Sequence, residues 1–124
     1  MGSKYILGID QSTQGTKVLL FDHGGKIIGK KSMEHDQIVN ELGWVEHDPM
    51  QIYNNTISLV KELVESLKVD KGKIIGLGLS NQRETAVVWD RKTGLPLHNA
   101  IVWQCPRGAD ICNRLEEKAS FIQD

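Results

Sequence analysis

Two short polar runs and one tryptophan carry the side chains in this sequence that are suited to chemistry. The first run is Asp10-Gln11-Ser12-Thr13-Gln14-Gly15-Thr16-Lys17. It follows an apolar strand, turns, and leads into a second apolar strand from Val18 to Phe21. Backbone N–H groups in a tight polar turn can form an anion-binding concavity. A carboxylate beside it suits Mg²⁺, which prefers oxygen ligands and keeps several waters. Together these features suit the polyphosphate of a nucleotide. The same residue types also build ordinary hairpin turns, because Asp, Ser, Thr and Gly fit turn geometry.

The second run, Ser80-Asn81-Gln82-Arg83-Glu84-Thr85, leaves the end of an apolar strand. Ligand sites in open α/β sheets lie outside the carboxyl ends of strands. Arg83 offers a fixed fork of donors and Glu84 a pair of acceptors, a combination suited to clamping polyol hydroxyls. The alternative is a surface ion pair. Trp103 closes a third apolar run and is followed by Gln104. An indole can stack on the C–H face of a polyol while bordering polar groups, or it can simply fill a core.

The elements that must position these residues are legible in outline. The first third reads as a three-stranded meander, Tyr5–Asp10, Lys17–Asp22 and Lys26–Ser32, with His23-Gly24-Gly25 as a hairpin signal. Residues 34–47 are polar and irregular, apart from a short strand expected at Gly43–Glu46. A helix follows. Asp48 is a suitable N-cap, Pro49 fits the first turn and Gln51 completes a capping-box pattern. Ile52, Thr56, Leu59, Val60, Leu63, Val64 and Leu67 then recur at helical spacing until Lys71-Gly72 breaks the pattern. Ile74–Ser80 reads as a strand buried on both faces, with Gly76 and Gly78 inviting close approach of a backbone or ligand. Thr85–Trp89 reads as a strand turning at Asp90–Gly94, with Ala100–Trp103 as its returning partner. Gly108–Lys118 is expected to be a helix with Ile111, Cys112 and Leu115 on one side. The expected fold class is therefore mixed α/β, an antiparallel meander beside a parallel crossover.

Composition narrows the function classes. The chain has 124 residues, 40% of them apolar, and a net charge of −1. That size suits one domain or one lobe of a larger protein. The charge balance argues against a nucleic-acid partner. No run approaches the roughly 20 apolar residues of a membrane span, and no leader segment is evident. These features lead to the expectation of a soluble, cytoplasmic protein without a membrane partner. Cys105 and Cys112 do not have zinc-finger spacing. On a shared helix they would stand two turns apart, about 10 Å, too far for a disulfide. Gly24–Lys31 approaches a P-loop, but Lys31 stands where a Ser or Thr belongs and no helix follows. Gly76 and Gly78 lack the third glycine of a dinucleotide fingerprint. His23, His35, His47 and His98 show no metal-ligand spacing and read as surface residues, and Ser12 and Ser80 have no evident His partner.

Four ordered blocks carry a resemblance that covers nearly the whole chain: Gly8–Thr13, Ser80–Thr85, Val88–Gly94 and Asn99–Gln104. In sequence and spacing they resemble the N-terminal part of the FGGY carbohydrate kinases, and within that family the glycerol kinases. The resemblance implies a ribonuclease H-like, actin-like fold of two lobes. It also implies ATP-dependent phosphorylation of a sugar or polyol hydroxyl. By position, Asp10 would serve the Mg²⁺–ATP complex, and Thr13, Gln14, Gly15 and Lys17 would lie along the phosphates. Arg83 and Glu84 would bind substrate hydroxyls, and Trp103 would line the substrate pocket. Where the family commonly has Trp-x-Asp-x-Arg, this chain reads Trp103-Gln104-Cys105-Pro106-Arg107. The Arg83-Glu84 pair is glycerol kinase-like, whereas xylulose kinases more typically carry Met-His there. The family's catalytic base lies beyond residue 124. Residues 1–124 therefore read as an incomplete N-terminal segment, without the second half of its lobe or the C-terminal lobe, and inactive alone. A pentulose or other polyol kinase is the alternative within the family. Outside it, the alternative is a non-catalytic truncated actin-like module. Either way the exposed apolar face predicts a homo-oligomer.

Overall fold

In a computed structural model, residues 2–118 of the chain are described. Strands β1 (Tyr5–Gln11), β2 (Gly15–Asp22) and β3 (Ile27–Glu34) form the expected antiparallel meander. Period-two alternation sends Thr16, Val18 and Leu20 of β2 inward. The hairpin between β2 and β3 turns on Gly25 (φ +84°), and Asp22 Oδ1 accepts from the N–H groups of Gly24 and Lys26 at 2.9 Å each. The short strand expected at Gly43–Glu46 is present as β5 (Val45–His47), and it pairs with a second short strand that was not expected, β4 (Ile38–Val39).

Helix α1 (Pro49–Ser66) begins where its cap signals place it, with Asp48 Oδ1 accepting from Met50 N–H at 2.8 Å. The capping box does not close. Gln51 instead exchanges two hydrogen bonds with Asp36, at 2.9 and 3.0 Å. The helix also ends before Lys71-Gly72, because Lys68 adopts a left-handed conformation (φ +53°). There Lys68 and Val69 donate back to the Glu65 and Val64 carbonyls, which terminates the helix much as a glycine would. Gly72 then lies in a single 3₁₀ turn, Lys71–Lys73, capped by Asp70.

The apolar stripe of α1 packs Leu59 and Leu63 onto Leu7, Ile9, Val18 and Leu20 of the sheet. Each such side chain contributes about 1.5–3 kcal/mol by leaving water. Gly29 makes the approach possible, since a Cβ there would lie 2.6 Å from Leu67 Cδ1. After the 3₁₀ turn, β6 (Ile74–Ser80) adds to the sheet parallel to β1, giving the order β3-β2-β1-β6.

β6 is not buried on both faces. Ile75, Leu77 and Leu79 are each at least 60% exposed, and nothing among the described residues lies within 4 Å of a Cβ built on Gly76 or Gly78. The strand forms the sheet edge, and α1 reaches only as far as β1. Residues 85–89 form no continuous strand. Ala86 bridges to Ile101 and Trp89 to Pro96, around a turn held by Asp90 and Gly94. Strand β7 (Ala100–Ile101) is shorter than expected and pairs mainly with β5, completing a second sheet of order β4-β5-β7. Helix α2 (Ala109–Leu115) is flanked by 3₁₀ turns at Pro106–Gly108 and Glu116–Lys118. Its apolar residues Ile111 and Leu115 stay exposed. Cys105 and Cys112 are free, and Cys105 lies before the helix rather than on it.

Candidate functional site

The register of two parallel strands brings the polar runs together. Asp10 of β1 stands opposite Ser80 of β6, so both chains leave the sheet at the same level. The β1–β2 turn and the loop after β6 then face each other across an open cavity of about 650 Å³. Asp10, Ser12 and Thr13 line one side, Ser80 to Glu84 the other, and Trp103 joins them. Trp103 is 55% exposed, so it is a surface side chain and not a core one. Its indole Nε1–H donates to Thr13 Oγ1 at 3.0 Å, tying the two ends of the described chain across the cavity.

Five of the residues singled out from the sequence thus share one cavity: Asp10, Thr13, Arg83, Glu84 and Trp103. The other three do not line it. Gln14 faces a neighbouring cleft with Gln37 and Gln104. Gly15 lies under β3, where a Cβ would sit 2.4 Å from the Met33 carbonyl oxygen. Lys17 is exposed on β2, paired in register with Asp10 and Ser32. The turn also uses some of its own polar groups. The backbone N–H and hydroxyl of Ser12 both donate to the Gly15 carbonyl, at 2.9 and 3.0 Å.

Arg83 and Glu84 enter no ion pair among the described residues, so their charged ends are free to meet a ligand. Glu84 holds a left-handed backbone (φ +53°), a conformation that costs a non-glycine residue about 1–2 kcal/mol. Such strain persists where the surroundings impose it, commonly at binding sites. Among the described residues no three His, Cys, Asp or Glu side chains cluster as a metal site. A lone carboxylate facing an open cavity nevertheless fits Mg²⁺ carried by phosphates, since that ion takes one or two protein carboxylates and fills its other positions with phosphate and water.

Behind Trp103 lies a charged cluster that sequence reasoning missed. Arg107 donates to Glu46 Oε1 at 2.7 Å and to Cys105 Sγ at 2.9 Å, and its guanidinium stacks 4.4 Å over the Trp44 ring. Asn99 donates to the other Glu46 oxygen at 3.1 Å. Hydrogen bonds from Arg107 and Asn99 hold the Glu46 carboxyl below its usual range. Burial pushes the Cys105 thiol up, but the hydrogen bonds and charge of Arg107 outweigh it and leave the thiol below its ordinary value. Cys105 Sγ thus serves as a hydrogen-bond acceptor for Arg107 in this cluster. Glu46 and Arg107 stand 61 residues apart in sequence, so no local spacing signalled the pair.

Two histidines expected at the surface are buried. His35 is 7% exposed and His47 fully enclosed, their rings edge to face with His35 Nε2 and His47 Nδ1 3.2 Å apart. Burial pushes both imidazoles below their ordinary value. His35 follows β3 beside the turn, its N–H donating to the Gln14 carbonyl at 3.1 Å, and His47 ends β5.

A meander extended by a parallel crossover strand, with a polar cleft at the strand ends, is the architecture of a nucleotide-binding lobe of the actin-like ATPase fold. The chain belongs to the FGGY family of carbohydrate kinases, whose N-terminal domain it matches over residues 5–123. It is 47% identical over 116 residues to a glycerol kinase of Thermoanaerobacter sp. (strain X514), covering 94% of this chain and 23% of that protein. The crystal structure of Plasmodium falciparum glycerol kinase with ADP superposes with a TM-score of 0.84 at 40% identity, over 94% of this chain and 23% of that one. A ligand-bound xylulose kinase from Lactobacillus acidophilus superposes at 0.82 with 27% identity, over 93% and 23%. The chain spans about a quarter of the length of the curated relatives it matches.

Proposed function

We propose that this chain is the N-terminal phosphate and substrate half-site of an ATP-dependent kinase acting on a sugar or polyol hydroxyl, most like glycerol kinase. The observation that carries the reading is the shared cavity, in which a carboxylate-bearing turn faces Arg83, Glu84 and Trp103. In this reading Asp10 would hold Mg²⁺ carried by the nucleotide, and the bound ion would supply charge neutralisation at the phosphates. Thr13, with Gln14, Gly15 and Lys17 behind it, shapes the phosphate side. Lys17 contributes long-range positive charge, since it does not line the cavity. Arg83 and Glu84 bind adjacent hydroxyls, and Trp103 supplies an apolar face for the carbon chain. Phosphoryl transfer depends chiefly on positioning and charge stabilisation, which this inventory provides. The general base is expected outside these 124 residues, so the segment alone is expected to be inactive. The reading includes a cytoplasmic location. No described helix is long and apolar enough to cross a membrane.

The test is ADP release by the full-length protein carrying this segment across glycerol, erythritol, xylulose and ribulose. Turnover of glycerol supports the reading as stated. Turnover of a ketose alone moves it to the pentulose kinases, and silence on every polyol and sugar refutes it. A second reading, a truncated module that self-associates, is favoured by one observation. The uncovered Leu79 adjoins an apolar groove walled by Tyr53 and Ile57 of α1. Light scattering decides this for the isolated chain, since a monomer that Leu79→Lys leaves unchanged removes the self-association.

A further inference from the structure

Most polar side chains of the β1–β2 turn are already engaged within the turn. Gln11 Nε2 donates to the Ser12 and Gly15 carbonyls at 3.1 and 3.4 Å, and Gln11 Oε1 accepts from the Thr16 hydroxyl. The Ser12 hydroxyl donates to the Gly15 carbonyl at 3.0 Å. Thr13 differs. Its Oγ1 accepts from Trp103 Nε1–H at 3.0 Å. An indole nitrogen can only donate, whereas a hydroxyl has one proton to give and two lone pairs. The direction of this bond is therefore fixed by chemistry. It leaves the Thr13 proton over, and among the described residues that proton goes to no acceptor.

Trp103 is held firmly at its backbone and lightly at its tip. The backbone lies in a turn closed by Cys105 N–H donating to the carbonyl of the buried Val102 at 2.9 Å. The indole stands between two open spaces. The shared cavity lies on one side and the cleft with Gln14, Gln37 and Gln104 on the other. Packing therefore does not fix the ring, and its hydrogen bond to Thr13 does.

We propose that the Trp103–Thr13 hydrogen bond couples the two ligand sites, so that the polyol and the nucleotide phosphates each tighten the binding of the other. The proposal rests on the kinase reading above. Towards the phosphates Trp103 is a positioning residue, because it acts there through Thr13. A carbon chain resting on the indole restrains the ring and keeps Nε1–H on Thr13 Oγ1. With that lone pair occupied, the Thr13 proton points away from Trp103 and is available to a phosphate oxygen. A hydroxyl that donates to an anion becomes a better acceptor in turn. A bound phosphate thus strengthens the indole bond and fixes the ring face for the polyol. Such coupling between two binding equilibria is reciprocal by thermodynamic necessity.

The test is calorimetric binding to the full-length protein carrying this segment, with glycerol and the non-hydrolysable ATP analogue AMP-PNP in the presence of Mg²⁺. Xylulose replaces glycerol if only the ketose is turned over. In the native protein the polyol is expected to tighten AMP-PNP about fivefold, the lower end of ordinary coupling, and AMP-PNP to tighten the polyol by the same factor. Trp103→Phe keeps an aromatic face and removes the N–H. Thr13→Val keeps the side-chain shape and removes the oxygen. Each is expected to bring the coupling factor close to unity, and the double variant to bring it no lower. Thr13→Ser keeps the hydroxyl and is expected to keep the factor. A merely structural loosening would weaken each ligand alone and leave the factor between them unchanged. A factor near unity in the native protein, one that survives Trp103→Phe or Thr13→Val, or one that Thr13→Ser abolishes overturns the proposal. In those cases both ligands still bind and the kinase reading stands. A native protein that binds neither ligand removes the kinase reading and the coupling together.

Discussion

Replacing Gly15 with alanine tests how the β1–β2 turn is held. A Cβ at this position would stand 2.4 Å from the Met33 carbonyl oxygen, 3.0 Å from Glu34 Cα and 3.1 Å from the Met33 carbonyl carbon. All three contacts are backbone, so no side chain can swing aside. Ordinary contact begins near 3.4 Å, and the turn and β3 must therefore separate by about 1 Å. That movement strains the adjoining bonds, from His35 N–H to the Gln14 carbonyl at 3.1 Å and from Ser12 N–H to the Gly15 carbonyl at 2.9 Å. Overpacking a tight site costs about 1–3 kcal/mol, and a weakened hydrogen bond costs about 1 kcal/mol more. The expected loss is about 2–4 kcal/mol, measured as a lower midpoint in urea at unchanged slope. Gly76→Ala is the control, because no atom among the described residues lies within 4 Å of its Cβ. A Gly15→Ala variant within about 0.5 kcal/mol of the native chain, the range of an ordinary surface change, would refute the close-contact argument.

Glu84→Gly relieves the left-handed strain, so the chain is expected to keep or gain stability in thermal unfolding while the full-length enzyme loses polyol affinity; loss of both would show that the backbone there is not strained. Arg107→Met removes the group that lowers the Cys105 thiol, and the pH midpoint for carbamidomethylation of Cys105 should move upward, with an unmoved midpoint excluding Arg107 as the cause. His35 and His47 are depressed from 6.5 by burial, so below that pH the unfolded chain binds protons that the folded chain refuses. Stability is then constant above about pH 6.5 and falls on acidification towards the folded values, by at most about 1.4 kcal/mol per pH unit for each ring. Denaturant midpoints that stay level from pH 7 to 5 would contradict the burial of the pair. The Glu46 carboxyl is held below the ordinary glutamate value of 4.5, so its contribution is complete above that pH and is lost as the pH falls below it, in a separate and more acidic step.

The residues proposed to meet ligand were easier to read than those that hold them in place. Asp10, Arg83, Glu84 and Trp103 announce themselves as polar or amphipathic groups at the ends of apolar runs, and the structure gathers them into one cavity. Gly15 also stood in the expected run, yet its place is under a neighbouring strand, which is a fact of sheet geometry and not of residue type. His35 and His47 were misread because isolated polar residues in a polar stretch carry no burial signal. Only the pairing of β5 with β4 and β7 encloses His47. The reading of β6 failed for another reason. An apolar strand is sought by a second layer, but in these residues α1 lies over β2 and β3 and packs no further than β1, and the hydrophobic pattern cannot state how far a helix reaches. Gln51 shows the same limit locally, since its capping partner lost to Asp36, fifteen residues away in sequence.

The order in which the chain leaves the ribosome gives the Trp103–Thr13 contact a further meaning. The meander and α1 pair neighbours close in sequence, so they can settle while later residues are still being synthesised. β6 must cross back over α1 to reach β1, and such non-local pairing is intrinsically slow. Trp103 then closes on Thr13 across 90 residues. The nascent chain thus acquires the β1–β2 turn first, the loop after β6 second and the link between them afterwards. A ribosome stalled before Trp103 is exposed would carry both halves of the cleft already folded and not yet fastened together.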